Sequence, residues 1–205
     1  NQCIQDQLQK GKLIGISLKK MQSGASLSAK NVFGDMKVDK NYAGYEYSGK
    51  SIDAYVKLSG GTKIQFRSFG TGLGLTGFQG EVKGANANQG KIGLGPTNMI
   101  LRVHGFSQIP TNAASRVTSN PDSVFNEIAV GLKKYGRLTD KQIEEVRENE
   151  KINTPKFLYS KLQATQLLDI LESIRNKNVR DQLVEDLYLY ASSQSRFSSA
   201  YYKLE

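Results

Sequence analysis

Glycine divides this chain. Of its 20 glycines, 18 lie in residues 1–105, and only Gly131 and Gly136 fall in residues 106–205. Glycine at that density suits short strands joined by turns, where it supplies positive φ without steric cost. The glycine-poor half is free to run in uninterrupted helices. With 205 residues there is chain enough for one large or two small domains with a buried core. The expected fold class is α+β: a basic, Gly-rich, mixed or antiparallel sheet from the N-terminal half, packed against helices of the C-terminal half. The regions expected are 1–106, rich in sheet, and 107–205, helical, open to integration as one domain.

Periodicity fills in the elements. Residues 3–9 have Ile4 and Leu8 four apart and predict a short helix, followed by a strand over 12–20 (KLIGISLKK). Strands are predicted over 41–48, 51–58 and 62–69, all rich in Tyr, Ile, Val and Phe. Ile52, Ala54, Val56 and Leu58 share one face, as do Ile64, Phe66 and Ser68, and Gly60-Gly61 between the two runs signals a tight hairpin. A further short strand is predicted over 77–83. Gly95-Pro96 then punctuates, with a helix opening at Asn98. Beyond it, Asn120-Pro121 and Thr139 open two helices, and the stretches 155–175 and 178–191 carry leucine stripes of core character.

Charge follows the glycines. Residues 1–105 hold 14 basic and 6 acidic side chains, whereas residues 106–205 hold 14 and 13, so nearly all of the net +9 sits in the first half. A localised positive excess attracts polyanions by counterion release, and nucleic acid is the commonest of these. One Cys excludes an internal disulfide, and with a single His, His104, it leaves no ordinary zinc site. No stretch of 18 apolar residues spans a bilayer, so no membrane partner is expected. The chain opens at Asn1 without the charged and apolar segments of a signal peptide, which reads as a start that is processed, trimmed or cut from a longer protein. The glycines of 70–95 fit neither the phosphate-loop nor the dinucleotide pattern, and no nucleophile elbow surrounds a serine, so His104 reads as a structural residue.

What remains is a set of carboxylates and lysines. Metal-dependent phosphodiester hydrolysis needs carboxylates for Mg2+ or Mn2+ and a lysine to stabilise charge or position water. Residues two apart on a strand share a face, so Glu81-Val82-Lys83 delivers both groups together, with Asp53 on a separate predicted strand. Asp53 and Glu81 are the candidate metal ligands, although ordinary surface charges produce such patterns too. Gln65 and Arg67 alternate with Ile64 and Phe66, and Lys57 and Lys63 flank the hairpin. With Tyr42, Tyr45, Tyr47 and Tyr55 close by, these form a candidate nucleic-acid surface, to which Lys20 and Lys91 are added.

Ser17 and Lys19 share a strand face, giving S-x-K where the pattern above has E-x-K. The segment GKLIGISLKK resembles the lysine-bearing strand of PD-(D/E)XK nucleases, in members where Ser occupies the Glu position; the likeness covers about 20 residues. Gly49-Lys50-Ser51-Ile52-Asp53 and Ile64-Gln65-Phe66-Arg67-Ser68-Phe69 resemble segments of tailed-phage proteins. The resemblance implies a phage-derived, magnesium-dependent endonuclease acting on DNA in preference to RNA, located in the host cytoplasm or the virion. In it Lys19 stabilises developing charge, with Ser17, Asp53, Glu81 and Lys83 as the other catalytic candidates. The family's metal-binding Asp lies on the strand before the lysine strand, whereas here only Asp6 precedes Ser17, in a predicted helix. Three alternatives stand beside it: a non-catalytic virion component, a DNA-binding module, or a host-directed inhibitor binding an acidic protein. A protein partner or a second copy of the chain is compatible with each.

Overall fold

The computed structural model describes residues 15–17, 27–30, 40–69, 77–84, 90–192 and 201–204. The fold is α+β, as the glycine partition predicts. Three short strands, β1 (Gly15–Ser17), β2 (Leu27–Lys30) and β8 (Tyr201–Leu204), form one sheet in which β8 lies between the other two. β8 runs parallel to β1, with Ser17 opposite Lys203, and antiparallel to β2.

The larger sheet is an antiparallel meander of β3 (Tyr42–Tyr47), β4 (Ala54–Leu58), β5 (Lys63–Ser68), β6 (Phe78–Lys83) and β7 (Lys91–Gly93), each paired with its sequence neighbour. The hairpin at Gly60-Gly61 is present: both glycines take positive φ (69° and 73°), and Leu58 N–H closes the turn on Thr62 O at 2.8 Å. Alternation sorts the two faces as the sequence predicts. Ala54, Val56, Leu58, Ile64, Phe66, Phe78, Val82 and Ile92 are buried on the inner face. Gly80 belongs to that face because a Cβ there would lie 2.7 Å from Ile64 and 2.8 Å from Phe66.

Six helices follow among the described residues: α1 (Leu94–Val103), α2 (Ala113–Ser119), α3 (Pro121–Lys134), α4 (Asp140–Glu148), α5 (Pro155–Ser173) and α6 (Lys177–Ala191). α1 begins four residues earlier than the sequence predicts and carries Gly95-Pro96 in its first turn. Proline costs nothing there, since first-turn N–H groups have no acceptor within the helix. The other starts match their signals. Asn120 caps α3 by accepting from Ser123 N–H, and Thr139 and Gln142 form a reciprocal capping box at α4. α5 and α6 cover the inner face of the meander, and one apolar core runs from Tyr47 on β3 to Ala191 at the end of α6. No helix among the described residues is long and apolar enough to cross a membrane.

Candidate functional site: the outward face of the meander

Register builds the outward face in three rows. Lys57, Lys63 and Lys83 stand directly opposite one another across β4, β5 and β6. The next row runs Glu46, Tyr55, Gln65, Glu81 and Lys91. Arg67 and Gln79 form the third, and Asp53 sits at the entrance to β4 beside it. The sequence-predicted Asp53, Lys57, Lys63, Gln65, Arg67, Glu81, Lys83 and Lys91 therefore belong to one surface.

Within it, Arg67 is the centre. Its guanidinium lies 3.8 Å from Asp53 Oδ1 and 3.9 Å from Glu81 Oε2, bridging the two carboxylates. Lys83 Nζ is 3.0 Å from the other oxygen of Glu81. The hydrogen bond from Lys83 holds the Glu81 carboxyl below its usual range, helped by the charges of Lys83, Lys91 and Arg67 and opposed by partial burial. Lys63 pairs with Glu46 at 2.7 Å. Three polar atoms here are buried without a hydrogen bond: Asp53 Oδ1, Gln65 Oε1 and Arg67 Nε.

Aromatic rings complete the surface. Gln65 Nε2 donates to Tyr55 Oη at 3.2 Å, and Lys63 Nζ is 5.6 Å from the centre of the Tyr55 ring. Phe69 continues the outward alternation of β5. Its ring lies against both Arg67 (4.7 Å) and Lys91 (5.2 Å), in cation–π contact.

The other tyrosines expected here face elsewhere. Tyr45 and Tyr47 oppose Val56 and Ala54 and so belong to the inner face, where both pack on Tyr135. Tyr42 bonds Glu172 and stacks beneath Arg180. A bulge between Tyr42 and Tyr45, with Gly44 at φ 99°, resets the alternation that the sequence suggests. Of the lysine-strand residues, Ser17 ends β1, and its pairing with Lys203 is all that is described of it; Lys19 and Lys20 lie outside the described residues, as does the predicted helix over 3–9. His104 Nε2 lies 2.7 Å from Asp186 Oδ2, away from this face.

A residue outside the sequence prediction supports this face from below. Lys161 of α5 is fully buried, yet its ammonium has no carboxylate within ion-pair reach among the described residues. It donates to the backbone oxygen of Asp53 at 2.9 Å and lies 4.2 Å from the centre of the Tyr47 ring. Burial pushes its pKa from 10.5 down to about 7, against a smaller upward pull from Asp53. One residue back, Ser160 Oγ accepts from Ser68 N–H at 2.9 Å. α5 thereby pins both the start of β4 and the end of β5, the two points that place Asp53 and Arg67.

As arranged, the carboxylates do not fit a shared metal ion. Mg2+ takes oxygen ligands at about 2.1 Å and Mn2+ has similar demands, so both carboxylates would have to close on one point. Here the guanidinium of Arg67 holds them apart, and no group of three or more His, Cys, Asp or Glu among the described residues could hold a metal. A cavity of about 430 Å³ lies between the turn after β3 and α4, lined by Lys50, Leu138, Gln142, Glu145, Val146 and Ile152 among others, and none of the predicted site residues borders it. No protein-family model, curated protein or solved structure matches this chain.

Proposed function

We propose that the protein binds nucleic acid, DNA in preference to RNA, through the outward face of its five-stranded meander. The observation that carries this reading is the row Lys57–Lys63–Lys83. Like charges directly opposite one another on neighbouring strands are unfavourable, because their Cβ atoms are only about 5 Å apart. Lys63 and Lys83 are offset by Glu46 and Glu81, in partly exposed ion pairs that a string of phosphates would exchange for its own, while Lys57 makes no ion pair among the described residues. Arg67 and Lys91 extend the positive surface in the adjoining rows.

Binding across a salt series with chelator present tests the proposal. Lys57→Ala, Lys63→Ala and Lys83→Ala should each weaken binding and each lower the slope of log affinity against log salt by about one. Salt-insensitive binding, or slopes unmoved by all three substitutions, would refute it.

Phosphodiester hydrolysis, in keeping with the PD-(D/E)XK resemblance, is a second reading. It is favoured by the grouping of Asp53, Glu81 and Lys83 around Arg67. It requires Arg67 to leave the gap between the carboxylates. Incubation of DNA with Mg2+ or Mn2+ separates the readings: cleavage lost with chelator and with Glu81→Gln supports hydrolysis, and intact DNA alongside salt-sensitive binding leaves the binding module.

A further inference from the structure

We infer that the cavity between the β3–β4 turn and α4 binds a small zwitterion with an apolar body, a free α-amino acid of leucine size. The site lies apart from the outward face of the meander and does not rest on the nucleic-acid reading.

The floor of the cavity is apolar. Val146 is buried in it, and Leu138 and Ile152 line it while packing half-buried against the core. Two glycines in the wall let Leu138 lie against bare backbone. A Cβ at Gly49 would meet Leu138 Cδ2 at 2.5 Å, and one at Gly136 would meet Leu138 Cδ1 at 2.9 Å. Arg137, between Gly136 and Leu138, takes φ 55°, a left-handed conformation in which glycine is usual. Leu138 N–H then closes the turn on Leu132 O at 3.2 Å. The cavity of about 430 Å³ falls within the range of about 300–1,000 Å³ typical of small-ligand sites.

Two opposite charges border this floor. Lys50 from the turn and Glu145 from α4 are both exposed, and neither makes an ion pair among the described residues. Asp140 and Glu144 of the same helix, by contrast, are paired, with Lys133 at 2.7 Å and Arg147 at 3.4 Å. Gln142 adds an oriented donor. The capping box takes its Oε1, which accepts from Thr139 N–H at 2.9 Å and from Thr139 Oγ1 at 3.2 Å. Its Nε2 is left without an acceptor among the described residues, at the edge of the cavity.

The helix sets the order of these groups. Gln142, Glu145 and Val146 recur at helical spacing on one face, so Gln142 and Glu145 are neighbours with Cβ atoms about 5–6 Å apart. The polarity of α4 runs the same way: its first turn, with Gln142, favours an anion, and its last turn, with Glu145, favours a cation. An α-amino acid carries its carboxylate and ammonium on one carbon, close enough for side chains one turn apart to reach both. The carboxylate takes Gln142 Nε2 and Lys50, the ammonium takes Glu145, and the apolar side chain covers Leu138, Val146 and Ile152. A plain carboxylate would face Glu145 with no counter-charge, and a plain amine would face Lys50 in the same way.

The test titrates the full chain by calorimetry with L-leucine, with isocaproate (leucine without its ammonium) and with isoamylamine (leucine without its carboxylate). Leucine should bind saturably and roughly three- to tenfold more tightly than either analogue. Glu145→Gln should lower leucine affinity to that of isocaproate for the wild type, and Lys50→Gln to that of isoamylamine. Both positions are exposed, so neither change disturbs the core. Leucine that fails to saturate up to its solubility limit overturns the inference. So does equal affinity for leucine and either analogue, or leucine binding indifferent to either substitution. The nucleic-acid reading stands or falls separately, on the salt series.

Discussion

Replacing Lys161 with methionine should change how stability depends on pH. The amine is buried with one backbone acceptor and one aromatic face, and its pKa falls from 10.5 to about 7. An unfolded chain keeps that proton until about pH 10.5, whereas the folded chain releases it near pH 7. Between those values the unfolded state binds about one proton more, so stability rises with pH, by about 1.4 kcal/mol per pH unit. From pH 7 to pH 9 this one group should contribute about 3 kcal/mol of increasing stability. Below pH 7 both states are protonated and the contribution is flat. Lys161→Met keeps an unbranched apolar stem and removes the titration. Urea unfolding of both proteins across this range gives a difference curve in which the other titrating groups largely cancel. Wild-type stability relative to the variant should climb by about one proton's worth per pH unit above pH 7. A difference constant with pH would mean that Lys161 titrates at its ordinary value, and hence that the amine does not lie beneath Asp53.

Three further substitutions test the scaffold. Gly80→Ala places a methyl group against Ile64, Phe66 and Ile92 and should cost about 1–3 kcal/mol by overpacking, read as a lower urea midpoint with an unchanged m-value. Tyr47→Phe removes the 2.8 Å hydrogen bond to Thr165 and should cost about 1–2 kcal/mol in the same assay. Thr139→Ala dismantles the capping box of α4 and should cost about 1 kcal/mol, with faster amide exchange confined to that helix if it frays locally.

The parts of this fold legible in the sequence are those fixed by local chemistry. Gly60-Gly61 admits few conformations other than a tight turn, and Asn120-Pro121 and Thr139 sit where helix N-terminal N–H groups need acceptors. The pairing of Glu81 with Lys83 was legible too, because two-residue spacing on a strand determines the face. Long-range geometry was not. Neither the bulge at Gly44, which sends Tyr45 and Tyr47 inward, nor the placing of Arg67 between Asp53 and Glu81 follows from spacing. Lys161 left a trace, since it falls three and four residues after Leu158 and Phe157 on the apolar stripe of α5. A lysine inside a leucine stripe marks either a long side chain reaching solvent or a buried amine, and only the packing of Tyr47 and Asp53 around it decides. Phe69 likewise follows Lys63, Gln65 and Arg67 in strict alternation, a parity visible in the sequence once the end of the strand is known.

The charges of the outward face explain why binding is the stronger reading. It carries Lys57, Lys63, Arg67, Lys83 and Lys91 against Glu46, Asp53 and Glu81, and all three carboxylates already have cationic neighbours. A metal ion would have to compete with those cations for the carboxylates. A phosphate competes instead with the carboxylates for the cations, and it does so with Lys57 and Lys91 making no ion pair among the described residues. These pairs are partly exposed, so each is worth at most about 1 kcal/mol and yields readily to a polyanion that also releases counterions. The same exchange would draw Arg67 from the gap between Asp53 and Glu81. On the proposed reading, any metal-dependent chemistry at this face would be coupled to nucleic-acid binding, and divalent ions alone should leave the protein's thermal stability unchanged.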